Sequence, residues 1–80
     1  MKIKKNIATS DTGFIFNPST GDSFSANPVA AEIIILLKEG KSPKSVKENI
    51  LDRYEVDATS LEKDFDDLIG QLRDSNLLDL

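Results

Sequence analysis

The densest acidic groups lie in the last amphipathic segment, where Asp64 and Asp67 stand three residues apart and Glu62 and Asp66 four apart. At helical spacing each pair shares a face, and paired carboxylates can exchange a proton or hold a hard cation. Helices commonly expose charge, so the expected role is a solvated acidic face. No Asp-rich loop of the EF-hand kind accompanies them. Tyr54 offers a phenol, but its place at the end of an amphipathic stretch suits a core ring with its hydroxyl at the surface. The sequence contains no His and no Cys. Ser-His-Asp and Cys-His nucleophilic arrangements are thereby excluded, as are disulfides and the usual zinc sites. The four glycines, at positions 13, 21, 40 and 70, are scattered and form no phosphate-cradling loop. The expectation is a protein that is not an enzyme and needs no cofactor or metal.

The 80 residues make one domain, 1–80, with 39% hydrophobic and 30% charged residues, a balance that fits a globular chain rather than a disordered one. The net charge of −4 argues against a nucleic-acid partner, because phosphate binding is driven by clustered Lys and Arg. The basic start, Met1 to Asn6, leads into no apolar run of signal-peptide length. The longest apolar stretch, Ile33 to Leu37, is far short of the ~20 residues that cross a bilayer. No membrane association is expected, and the predicted location is the cytoplasm.

The elements that position the side chains divide into strands, then helices. Ile7 to Thr9 reads as a first strand, Ser10-Asp11-Thr12-Gly13 as a turn, and Phe14-Ile15-Phe16 as a second strand. Asn17 to Gly21 is a turn, and Asp22 to Ala26 a third strand. The strands fall within residues 4–26, and their short turns make them antiparallel. Phe14, Phe16 and Phe24 are expected to share the core face. Asn27-Pro28 and Ser42-Pro43 each pair a cap with a proline at the first helical turn. They start helices over about residues 28–38 and 43–54. On the first, Val29, Ala30, Ile33, Leu36 and Leu37 form the apolar face, with Ile34 at its edge and Ile35 opposite. On the second, Val46, Ile50, Leu51 and Tyr54 share a face. The third spans about residues 59–75, with Thr59 and Glu62 at capping-box spacing and Asp57 as a competing cap. Its stripe is Leu61, Phe65, Leu68 and Leu72, with Ile69 on the flank, and Asn76 is the stop. The predicted class is α+β, a three-stranded antiparallel sheet followed by three helices.

A meander of three strands leaves the third at an edge, unless the N-terminal segment adds outside it. An open edge presents unpaired N–H and C=O groups that can template a further strand, and a helix beside it makes a groove.

The stretch from Thr20 to Ile33, TGDSFSANPVAAEI, resembles the PqqD family, in which a turn glycine precedes a short aromatic strand, an Asn and a small-residue helix start. Leu36 to Ser42, Asp64 to Leu72 and Asn76 to Leu78 fit its later segments, so the resemblance covers roughly residues 7 to 78. Two departures are a short segment before the first strand and Asn76 where the family commonly has glycine. The resemblance implies a winged-helix-like fold and a recognition element for ribosomally made, post-translationally modified peptides. The leader of a precursor peptide would add beside the third strand, against the third helix. The domain would present it to a modifying enzyme, often a radical-SAM enzyme. Mapped onto this chain, the peptide-binding residues are Asp22, Ser23, Phe24, Ser25 and Ala26 on the strand, and Phe65, Leu68, Ile69 and Leu72 on the helix. Ile69 is the foremost groove candidate, with Leu68 and Leu72 assigned to core or groove. Nothing in the resemblance selects pyrroloquinoline quinone biosynthesis in particular.

Two other readings use the same elements. A DNA-binding winged helix would present Glu62, Asp64, Asp66 and Asp67 against Lys63 and Arg73, the wrong sign for phosphate. A small interaction subunit without a peptide ligand would form a homodimer through Ile35.

Overall fold

The computed structural model describes residues 2–10 and 13–79. The order is β1 (Lys2–Ile3), β2 (Ala8–Thr9), β3 (Phe14–Asn17), β4 (Asp22–Ser25), α1 (Pro28–Lys38), α2 (Pro43–Arg53), α3 (Ala58–Asp74) and β5 (Leu78–Asp79). The antiparallel sheet β2-β3-β4 and the three helices after it give the expected α+β class. A second pairing was not foreseen: β1 runs antiparallel to β5, with Ile3 opposite Leu78. The N-terminal segment therefore closes onto the chain's end and does not add beside β4. Two residues give a strand too little periodicity to read, so only the folded chain reveals this pair.

The hairpin β3–β4 sets the faces of the sheet. A turn between Asn17 and Asp22 places Ile15 opposite Phe24, Phe16 opposite Ser23 and Phe14 opposite Ser25. Asn17 holds the turn, its carbonyl accepting from Gly21 N–H at 2.8 Å and its Oδ1 from Ser19 N–H at 3.0 Å. Because side chains alternate along a strand, Ile15 and Phe24 share one face and Phe14 and Phe16 the other. Ile15 is buried at 4% exposure, whereas Phe14 and Phe16 are exposed at 48% and 37%. The expectation that the three phenylalanines share the core face is thus corrected. The register gives the core to the aliphatic residue and leaves two rings outside. In the preceding turn, Asp11 and Thr12 lie outside the described residues. Gly13 next to them has φ +90°, and a Cβ there would stand 2.4 Å from the Ala26 carbonyl oxygen.

Helix starts follow their caps. Asn27 Oδ1 accepts from Ala30 N–H at 2.8 Å, and Ser42 Oγ from Ser45 N–H at 3.2 Å. At α3 the competing cap wins: Asp57 Oδ2 accepts from Ser60 N–H at 3.0 Å, and the helix begins one residue before Thr59. α2 stops at Arg53, and Tyr54 takes an extended conformation. Asn76 ends the last helical turn at φ +60°, and its Oδ1 accepts from Lys4 Nζ at 2.8 Å.

The core is drawn from every layer and includes Ile7, Ile15, Ile33, Leu37, Val46, Ile50, Phe65 and Leu77. α1 packs on both α2 and β1, so its buried arc is wider than one stripe and takes in Ala31 and Ile34. Leu51, assigned to the packed face of α2, is instead 42% exposed. Lys47 Nζ bonds Glu62 Oε1 at 2.8 Å and lies 4.8 Å from the Phe65 ring centroid, fastening α2 to one flank of α3. Among the described residues no helix is long and apolar enough to cross a membrane.

The reversed faces predict a sharp asymmetry between neighbours in β3. Ile15→Ala should lower the unfolding free energy by about 2–4 kcal/mol, and Phe14→Ala by less than about 1 kcal/mol. Urea unfolding of the two variants checks this.

Candidate functional site

β4 lies at the end of its sheet, and among the described residues no strand pairs with its outer edge. Ala26 N–H donates to the Gly13 carbonyl at 2.8 Å, which fixes the phase of the ladder. Bonded and non-bonded pairs alternate between antiparallel strands. Phe24 therefore directs its backbone groups toward β3, while Ser23 and Ser25 direct their N–H and C=O groups outward. The opposite edge differs. β2 has two residues, and the Ile7 carbonyl beside it already accepts from Lys38 Nζ at 2.8 Å. An added strand has more backbone to pair with at β4.

Next to that edge runs a groove walled lengthwise by α3. Its smaller part, about 240 Å³, lies between β4 and the C-terminal half of α3, with Phe24, Ser25, Ala26, Leu68, Leu72 and Ser75 in its lining. Its larger part, about 690 Å³, continues past Ala26 between the start of α1, the Tyr54–Val56 connector and the N-terminal half of α3. Asn27, Ala30, Leu68 and Gln71 line both parts, so the groove is continuous.

The residues expected to form the site divide. Phe24, Ser25 and Ala26 line the groove, and Ser23 supplies outward backbone beside them. Asp22, the first residue of β4, is exposed and sits opposite Asn17. Leu68 is half-buried at the centre of the groove, and Leu72 reaches its lining although only 4% exposed. Phe65 and Ile69 belong to the core, at 2% and 9% exposure, and line neither part. Ile69, the foremost candidate, is thus packed into the core, and Leu68 stands in the lining of both parts. The two lie about 100° apart around the helix, Leu68 within the stripe and Ile69 on its flank, and periodicity does not say from which side a neighbour covers them. Packing separates them, because α2 covers the flank that carries Glu62 and Phe65. Sequence reasoning also missed Tyr54, Val56, Asp64, Asp67 and Gln71 as lining residues. A signal existed: Asp57, Ser60, Asp64, Asp67 and Gln71 recur three to four residues apart, a stripe that reads as solvent-facing because it is polar.

The sequence model of the family described as coenzyme PQQ synthesis protein D (PqqD) matches residues 13–78. Among solved structures, TbiB1 in complex with the TbiA(beta) leader peptide is similar at 30% identity and a TM-score of 0.87, over 99% of this chain and 95% of that one. A lasso peptide synthetase B1 complexed with its leader peptide is similar at 26% identity and a TM-score of 0.76, over 92% and 91% of the two chains. No curated protein matches by sequence.

The division of α3 can be measured without a ligand. Ile69→Ala should cost about 2–4 kcal/mol of stability as a core truncation, and Leu68→Ala no more than about 1.5 kcal/mol. Thermal or urea unfolding of the pair reads the difference, and the reverse order would return Ile69 to the groove.

Proposed function

The chain belongs to the PqqD family, and from that premise we propose that it is a non-catalytic recognition element for the leader of a ribosomally made precursor peptide. The leader adds as a strand along β4, its backbone paired to Ser23 and Ser25 and its alternate side chains set into the groove against Leu68, Phe24 and Ala26. The single observation that carries this reading is the open β4 edge beside a groove with Leu68 at its centre. Two leader-bound structures similar over nearly the whole chain support it.

Magnitudes assign the parts their tasks. The outward N–H and C=O groups of Ser23 and Ser25 contribute up to about 4 kcal/mol at ~1 kcal/mol per bond. A micromolar complex needs about 8 kcal/mol, before the entropy of ordering the peptide is met. Backbone pairing therefore sets direction and register. Burial of side chains, about 1.5–3 kcal/mol for each large apolar residue, supplies the remainder and the selectivity.

Presentation requires an enzyme that modifies the held peptide. Family resemblance favours a radical-SAM enzyme. Similarity to a lasso peptide synthetase B1 favours a second reading, a lasso peptide synthetase. A precursor gene flanked by one or the other reading frame distinguishes them. Ile35, the residue expected at a dimer contact, is half-buried within one copy.

Titrating isotope-labelled protein with the leader of a precursor encoded beside its gene should shift the amides of Ser23 to Ala26 and of Leu68 and Gln71. Saturating peptide without those shifts refutes the proposal. Ser25→Pro removes an outward donor where proline is tolerated, on an edge strand. It should weaken binding about fivefold or more while the far-ultraviolet circular dichroism stays unchanged.

A further inference from the structure

The larger part of the groove has a charge that Leu68 at its centre does not predict. Asp57, Asp64 and Asp67 stand in its lining, and among the described residues no Lys or Arg joins them. The ion pairs among those residues are Lys47–Glu62 and Arg53–Glu32, and neither involves the groove. Opposing fields are small. The N-termini of α1 and α3 each add roughly half a positive charge, which leaves about two negative charges facing the cleft. The carboxylates are not gathered to hold a metal: no such cluster of three or more occurs among the described residues. They are instead spread along one wall, from the Asp57 cap past Asp64 to Asp67 beside Leu68.

Their spacing matches an extended peptide. An α-helix advances about 6 Å over four residues, and a strand about 6.6 Å over two. A side chain seated against Leu68 thus has its neighbour of the same parity, two residues along, level with Asp64. From this geometry we infer that the leader bound here carries a lysine or arginine two to four residues from its apolar anchor, at the end that passes beyond Ala26, facing Asp64 and Asp67. The inference rests on the peptide-recognition reading and deepens it: β4 and Leu68 hold the peptide, and the carboxylates choose which peptide by charge. Low-dielectric walls focus such a field and raise the local concentration of cations. At the rim an exposed pair adds modest affinity, whereas an acidic residue meets repulsion. The carboxylates thereby act mainly by rejecting acidic sequences.

A display library of short random peptides, selected on the full chain at low salt, tests this. Selected peptides should shift the Ser23 and Ser25 amides and carry an excess of Lys or Arg at the stated spacing from an apolar residue. Replacing that basic residue by Glu should weaken binding roughly fivefold, and far less on Asp64→Asn/Asp67→Asn. Asp66→Asn, on the same helix but outside the lining, should keep the full preference. Peptides that shift the edge amides without any basic excess, or whose preference survives Asp64→Asn/Asp67→Asn, overturn the charge inference and leave edge-strand recognition standing. Selected peptides that leave those amides unshifted overturn both. Asp57 is left intact throughout because it caps α3.

Discussion

Backbone amides and carbonyls at the edge of a sheet need hydrogen-bond partners from outside that sheet, and the organisation of this protein turns on where that need is left standing. β1 is drawn to β5, Lys38 takes the Ile7 carbonyl next to β2, and among the described residues no strand pairs with the outer edge of β4. A free edge exposes a protein to unwanted pairing. Here it is four residues long and flanked by a helix, so only an extended segment narrow enough to share the groove can use it.

The hairpin register makes the edge usable. With Ile15 opposite Phe24, the outward backbone belongs to Ser23 and Ser25, and Phe24 turns its ring to the core side, where it forms part of the groove lining. A slip of one residue would send Phe24 to the solvent face and turn the backbone of Ser23 and Ser25 inward. The Asn17 turn and the close approach of Gly13 to Ala26 hold the register at the two ends of β4. Stability and recognition thus depend on the same hydrogen bonds.

α3 serves both the core and the groove because its two flanks have different neighbours. Lys47 and Glu62 tie one flank to α2, with Lys47 over the Phe65 ring, and Phe65 and Ile69 are buried there. Among the described residues no element covers the other flank, and there Leu68 lies beside β4 and Asp64 and Asp67 line open space. The apolar Leu68 and the acidic Asp64 and Asp67 thus lie side by side on a single helix, all of them in the lining of one groove.

Local chemistry was legible in the sequence. Asn27-Pro28 and Ser42-Pro43 announced their helices, the turn residues announced the hairpins, and the absence of His and Cys removed whole classes of reaction. These signals rest on interactions within a few residues, which the order of residues alone determines. What the order of residues left open was which neighbour covers which face. Phe14 and Ile15 are both apolar, Leu68 and Ile69 both belong to one apolar arc, and Asp57 and Thr59 both can cap. In the first two pairs long-range packing chose, through β4, α1 and α2, and a helical or strand period cannot encode the side from which a distant element arrives. The same holds for the pairing of Lys2–Ile3 with Leu78–Asp79, which joins the two ends of the chain and exists only once the core between them has formed.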